Sequence, residues 1–139
     1  MSREELEKVA DLCVKHNLII LSDEVYDRLF YVPFTRMATL SPEVSKRTLT
    51  VGSAGKNFYA TGWRVGYLIG EEHLIKYVSA AHTRICYSSV APLQLATAVG
   101  FEKADEMGFW DESRKEMRGK VERFCEIFDE LGIPVCICV

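Results

Sequence analysis

The sequence predicts an α/β fold in which a mostly parallel sheet is flanked by helices. Three observations point to it. Leu18-Ile19-Ile20-Leu21 is an unbroken apolar run, the pattern of a strand covered on both faces rather than one. Two further strand-like runs, at 47–51 and 65–69, frame a short glycine-containing turn. Four other segments carry apolar residues at helical spacing. A chain of 139 residues is long enough to bury a core. Three strands do not offer enough surface for that many helices, so part of a larger domain is expected.

Taken in order, residues 3–16 place Leu6, Val9, Ala10, Cys13 and Val14 on one helical stripe. Ser2 is positioned to cap this helix, and Glu4, Glu5 and Glu7 complement its dipole. The strand at 18–21 runs directly into Ser22-Asp23-Glu24-Val25-Tyr26-Asp27-Arg28. In open α/β sheets, ligands bind at the carboxyl ends of strands. Residues 30–42, with Pro33 and Pro42 and no period, read as a loop with one helical turn. Strands at 47–52 and 65–70 frame the lysine turn. Leu74, Ile75, Val78 and Ala81 mark a helix at 71–84, and an alanine- and leucine-rich helix is expected at 91–105, broken by Gly108. A long helix at 110–131 is expected to bury Met117, Val121, Phe124, Cys125 and Phe128, with Gly132 as its stop. The chain divides into a partial large domain at 1–132 and a divergent, uncharged hydrophobic tail at 133–139.

Composition narrows the function. A net charge of -3 offers no basic footprint for nucleic acid, and no apolar run approaches the length of a membrane span. The five cysteines, at 13, 86, 125, 136 and 138, show neither zinc spacing nor a paired framework. Such a count suits reduced thiols in an intracellular compartment, cytoplasmic or mitochondrial. His16, His73 and His82 have no matching ligand set, so no metal site is expected.

The chemistry centres on Gly52-Ser53-Ala54-Gly55-Lys56, followed after eight residues by Arg64. A lysine amine becomes a nucleophile when deprotonated, and burial or nearby positive charge favours that state. The ordinary alternative, a solvated surface lysine, has no need of two glycines and a serine before it. Ser53 and Arg64 suit a phosphate dianion, with arginine as the bidentate partner; a turn hydrogen bond and a surface ion pair are their ordinary readings. Asp23, at the mouth of the sheet, is placed to keep a pyridine nitrogen protonated, or simply to cap a turn. Tyr26 is placed to donate to a ring oxygen of the same ligand, or is a half-buried tyrosine. Glu24 and Asp27 read as partners of Arg28 or as solvated carboxylates.

Together these residues resemble the fold type I, class I/II aminotransferases that use pyridoxal 5'-phosphate. The string from Ser53 to Tyr67, S-x-G-K-x-F-x-x-T-G-W-R-V-G-Y, is similar to the family's lysine signature. Ser22-Asp23-Glu24-Val25-Tyr26 is similar to its upstream element, with Asp23 and Lys56 33 residues apart. Gly52-Ser-Ala-Gly-Lys-x-Phe and Phe109-Trp-x-Glu are in the style of the kynurenine aminotransferase and cysteine-S-conjugate β-lyase branch. The resemblance covers residues 3 to 131. It implies that Lys56 binds the cofactor covalently and then moves a proton between substrate and cofactor. Asp23 would pair with the pyridinium nitrogen, Tyr26 with the phenolic oxygen, and Ser53 and Arg64 with the phosphate. Many relatives carry lysine where Arg64 stands.

The resemblance further implies transamination between an amino acid and a 2-oxo acid, and a homodimer with shared active sites. The loop at Cys86-Tyr87-Ser88 would reach the neighbouring subunit's site through Tyr87. The family's cofactor-stacking aromatic and its carboxylate-gripping arginine are not found in this sequence. A fragment or shortened product with little activity of its own is therefore expected, with a non-catalytic interaction module as the alternative.

Overall fold

The computed structural model describes residues 1–135, so residues 136–139 of the expected tail lie outside the described residues. The first helix, α1 (Arg3–Lys15), is capped as expected. The Ser2 side chain accepts from the Glu5 amide at 3.3 Å, and the Ser2 amide donates to Glu5 Oε2 at 2.7 Å. Two otherwise orphaned amides are satisfied by this reciprocal pair. One face of α1 packs Ala10, with Leu6, Cys13 and Val14, against Ile20, Met37 and Val44.

Strand β1 (Ile20–Asp23) begins two residues later than the apolar run suggested. Its expected burial on both faces is not found. Ile20 is buried, whereas Leu18, Ile19 and Leu21 are exposed. Among the described residues the core reaches β1 through Ile20 alone, which is why an unbroken apolar run here behaves as an alternating one.

Strand β2 (Thr48–Ser53) lies at the centre of a three-stranded sheet ordered β1-β2-β3, with β3 formed by Gly66–Ile69. The sheet is mixed. β1 and β2 are parallel, from Ile20 opposite Thr48 to Asp23 opposite Val51. β2 and β3 are antiparallel, from Thr50 opposite Ile69 to Ser53 opposite Gly66. Connection type explains the difference, since a parallel neighbour needs a crossover and an antiparallel one does not. The β1–β2 crossover contains a 3-10 turn at Met37–Thr39 and a short helix α2 (Pro42–Ser45) within the stretch read as loop and strand approach. Ser41 caps α2 by accepting from Val44 N at 3.2 Å, with Pro42 in the first helical position.

Between β2 and β3 the expected turn is a one-turn helix, α3 (Ala54–Asn57), followed by a 3-10 turn at Thr61–Trp63. Helices α4 (Glu72–Ile85), α5 (Ala91–Ala104) and α6 (Phe109–Glu130) complete the fold close to their expected limits. Phe58, two residues beyond Lys56, is the hub that docks α3 onto α5 and α6. Its ring centre lies 4.9 Å from Phe101, 5.7 Å from Phe109 and 5.2 Å from Trp110. Gly100 allows this approach, because a Cβ there would lie 3.1 Å from the Phe58 ring.

None of the residues expected on the buried stripe of α6 is fully buried. Trp110 is buried, Met117, Cys125 and Phe128 are half-buried, and Val121 and Phe124 are exposed. Along the exposed length the helix carries same-face ion pairs, Lys120–Glu116 at 2.6 Å, Arg118–Glu122 at 2.9 Å and Arg123–Glu126 at 3.0 Å. Among the described residues no helix is long and apolar enough to cross a membrane, and no cluster of side chains is arranged to hold a metal ion.

Candidate active site

Period-two alternation along strands sorts the sheet into two working faces. Paired residues share a face, so Asp23, Val51 and Ser53 project together from the carboxyl ends of β1 and β2. Thr50, Gly52, Tyr67 and Ile69 belong to the opposite face. At the end of β2 the chain turns into α3, placing Lys56 three residues beyond Ser53.

A cleft of about 310 Å³ opens at this end, and Ser53, Lys56 and Arg64 all line it, together with Val25, Val51 and Thr61. Its floor is backbone. A Cβ on Gly55 would lie 3.0 Å from Thr61 Cα, and one on Gly66 would lie 3.3 Å from the Gly52 carbonyl oxygen. These glycines let the two sides of the turn close up, and the Ala54 amide joins them by donating to the Val65 carbonyl at 3.1 Å.

Lys56 is exposed to the cleft, with Nζ 5.6 Å from the centre of the Tyr26 ring. Tyr26 is itself 55% exposed. Asp23 is exposed, and its Oδ1 accepts from the Val25 amide at 3.3 Å, while among the described residues Oδ2 has no hydrogen-bond partner. Arg64 adopts a left-handed conformation with φ 55° and donates from Nη1 to the Thr61 carbonyl at 3.2 Å, curling back over the turn. Thus Ser53, Lys56 and Arg64 share one cleft, Tyr26 stands beside Lys56, and Asp23 shares the sheet face of Ser53. Tyr87 is separate. It follows α4 with φ 63°, is 81% exposed and does not line the Lys56 cleft.

Behind the site lies a buried charge network that the sequence did not reveal. Glu24 and Asp27 are buried, and their main partner is Arg36 rather than Arg28. Arg36 donates to Glu24 Oε2 at 3.2 Å and to Asp27 Oδ2 at 2.5 Å. Arg28 Nε stands 3.7 Å from Asp27. Glu24 also accepts from Ser22 Oγ at 3.0 Å and from the Met37 amide at 3.1 Å. Asn57 Nδ2 donates to Asp27 Oδ1 at 2.9 Å. Burial alone would lower the Arg36 pKa, but the hydrogen bond and charge of Asp27, helped by Glu24, hold it above its ordinary value. The one available signal was the three-residue spacing of Glu24 and Asp27, which puts both on one side of a turn. Arg36 lay hidden in a loop without period.

Comparison with known proteins agrees with this geometry. Residues 1–137 match the family model described as aminotransferase class I and II. The chain is 50% identical over 135 residues to the Probable kynurenine–oxoglutarate transaminase BNA3 of Saccharomyces cerevisiae, covering 96% of this chain and 30% of that protein. It is 37% identical over 139 residues to human kynurenine–oxoglutarate transaminase 3, covering 95% of this chain and 30% of the relative. The crystal structure of Bna3p from Saccharomyces cerevisiae superposes with a TM-score of 0.91 at 50% identity, over 95% of this chain and 32% of that one. The N-succinyldiaminopimelate aminotransferase of Mycobacterium tuberculosis gives a TM-score of 0.88 at 32% identity, over 94% of this chain and 34% of that one. The chain therefore spans about 30% of the length of the curated relatives it matches. With the Lys56 turn set at the mouth of a small mixed sheet, and the match running through almost its whole length, this chain belongs to the class I and II aminotransferase family of fold type I.

Proposed function

We propose that this chain carries the lysine-bearing part of a pyridoxal-phosphate-dependent aminotransferase acting between an amino acid and a 2-oxo acid. The observation that carries the reading is the cleft lined jointly by Ser53, Lys56 and Arg64, with Tyr26 against the lysine. The donor set fits the cofactor: one amine, a hydroxyl and guanidinium for its phosphate, and a carboxylate on the same sheet face. Pyridoxal phosphate supplies an aldehyde that amines can join and a ring that draws electrons from the adjoining carbon.

The protein's share is binding, orientation and proton transfer. Ser53 Oγ and Arg64 hold the phosphate dianion. Asp23 offers its free carboxylate oxygen to the ring nitrogen and keeps it protonated, while the Tyr26 hydroxyl donates to the ring oxygen. Lys56 Nζ would be the covalent attachment point for the cofactor, and its amine would be the base for the proton on the α-carbon of the amino acid. The named relatives support kynurenine and 2-oxoglutarate as substrates, and β-lyase action on cysteine S-conjugates is a further reading of the same site. Among the described residues lining the cleft, Arg64 is the single arginine, which leaves none to grip the substrate carboxylate. Turnover by these residues alone is accordingly proposed to be slight, since transamination needs that orientation. A homodimer is proposed to complete the site, with Tyr87 reaching across to the other subunit.

The test is reductive trapping. Pyridoxal phosphate followed by borohydride should label Lys56 selectively by peptide mapping, and Lys56→Ala should remove the label. Equal labelling of several surface lysines would refute the assignment. Exposed Leu21 and Leu68 on the sheet favour a second reading, an interaction module that pairs with a longer relative. Mixing experiments that yield neither a heterodimer nor a change in the relative's activity would dismiss it.

A further inference from the structure

We propose that Asn57 and Asp27 form a positioning pair that fixes the reach and orientation of Lys56 over Tyr26. The inference rests on Lys56 being the cofactor-bearing lysine. It begins from the turn at 23–27, whose residues divide by their three-residue spacing. Asp23 and Tyr26 are exposed, whereas Glu24 and Asp27 are buried. One side of the turn thus faces the ligand cleft and the other is an anchor.

The anchor has two carboxylates with separate tasks. Glu24 binds backward, to Ser22 Oγ, the Met37 amide and Arg36. Asp27 shares Arg36 and uses its remaining oxygen to accept from Asn57 Nδ2 at 2.9 Å. That bond joins residues 30 positions apart, and both partners are buried, at 5% and 7% exposure. It ties the 23–27 turn to α3 through the residue next to Lys56. Asn57 faces Asp27 with its donating Nδ2, while its Oδ1 is buried without a hydrogen-bond partner among the described residues.

The consequence is geometric. Lys56 has a long, flexible side chain, so the position of its Nζ depends on how firmly the backbone of α3 is held. Phe58 secures α3 towards α5 and α6 through its ring contacts. The Asn57–Asp27 bond secures it towards Tyr26 and Asp23, the residues assigned to the ligand's ring. Without the bond, α3 would stay docked by Phe58 but lose its alignment with the opposite wall. Displacements of this kind cost reactions far more than they cost folding.

The experiment compares the full chain with Asn57→Leu, which removes the donor, and with the exchange Asp27→Asn/Asn57→Asp. The exchange places the carboxamide at position 27, its oxygen towards Arg36 and its amine towards the carboxylate at 57. The readouts are the rate at which Lys56 is trapped by pyridoxal phosphate and borohydride, the pH at which the bound cofactor's absorption band titrates, and the thermal melt. Asn57→Leu is expected to slow trapping about ten-fold or more and to shift the titration. The exchange is expected to recover both. Wild-type trapping and titration in a folded Asn57→Leu variant would overturn the proposal, as would an exchange that restores the melt without restoring them. If Asn57→Leu does not fold, Asn57→Ser and the exchange decide by the same criteria. Absence of Lys56 trapping in the unaltered chain would instead count against the proposed function itself.

Discussion

The two ends of α6 have similar apolar residues and different surroundings. At its start, Trp110 is 6% exposed, enclosed by Phe58, Phe101 and Phe109, with the Arg28 guanidinium 5.1 Å above its ring. Towards its far end, Phe124 is 58% exposed although Phe128 lies 4.8 Å away. Helical periodicity states which face of a helix is apolar. Whether that face is buried depends on which other elements reach it. The buried end of α6 is also the end that holds Phe58, and through it the turn bearing Lys56. The Lys56 turn and the buried aromatic cluster therefore lie together.

The sharpest test of this contrast uses the two aromatic residues themselves. Trp110→Ala should destabilise the fold by ~3–5 kcal/mol in urea unfolding, through a cavity bordered by three aromatic rings. Phe124→Ala should cost under about 1 kcal/mol, because little surface is returned to water. Similar losses for the two would erase the distinction. Next in size is Glu24→Ala, which orphans the Met37 amide and deprives Arg36 of one partner. About 2–4 kcal/mol is expected by the same measurement, whereas a solvated carboxylate, one of the two readings from sequence, would show almost none.

Gly52 offers a smaller and more local test. Its α-carbon sits under the Tyr67 ring, where an added Cβ would meet ring atoms at 2.1 Å. Gly52→Ala should displace Tyr67, at a cost of about 1–3 kcal/mol, visible also as a changed tyrosine fluorescence or near-ultraviolet signal. The smallest effect is on alkaline stability. Burial, and then the charge of Asp27, raise the Tyr67 pKa above its ordinary value of 10.0. A raised pKa means that the folded state disfavours the phenolate. Tyr67 thus leaves stability unaffected below pH 10 and lowers it as pH rises from there through the folded pKa. Tyr67→Phe should flatten that part of a melting-temperature profile, and an unchanged slope would show that Tyr67 ionises freely.

Local chemistry made much of this protein legible in advance. The Ser2–Glu5 capping box, the stop at Gly132 and the limits of α4, α5 and α6 depend on neighbours in sequence, and the structure has them where the residues require them. The Lys56 turn was readable for the same reason, since two strands, two glycines and a lysine are contiguous information. Tertiary structure alone decided three other matters. It made β1 bury only Ile20, because burial needs a covering layer and not just an apolar run. It set β3 antiparallel to β2, a choice made by how the chain returns rather than by strand composition. And it drew Arg36 and Asn57 from 9 and 30 residues away to neutralise and hold Asp27, turning a carboxylate that reads from sequence as an Arg28 partner or as solvated into a tie behind Lys56. Polar groups separated that far in sequence have no spacing rule to betray them. Only the folded chain brings them within hydrogen-bond reach.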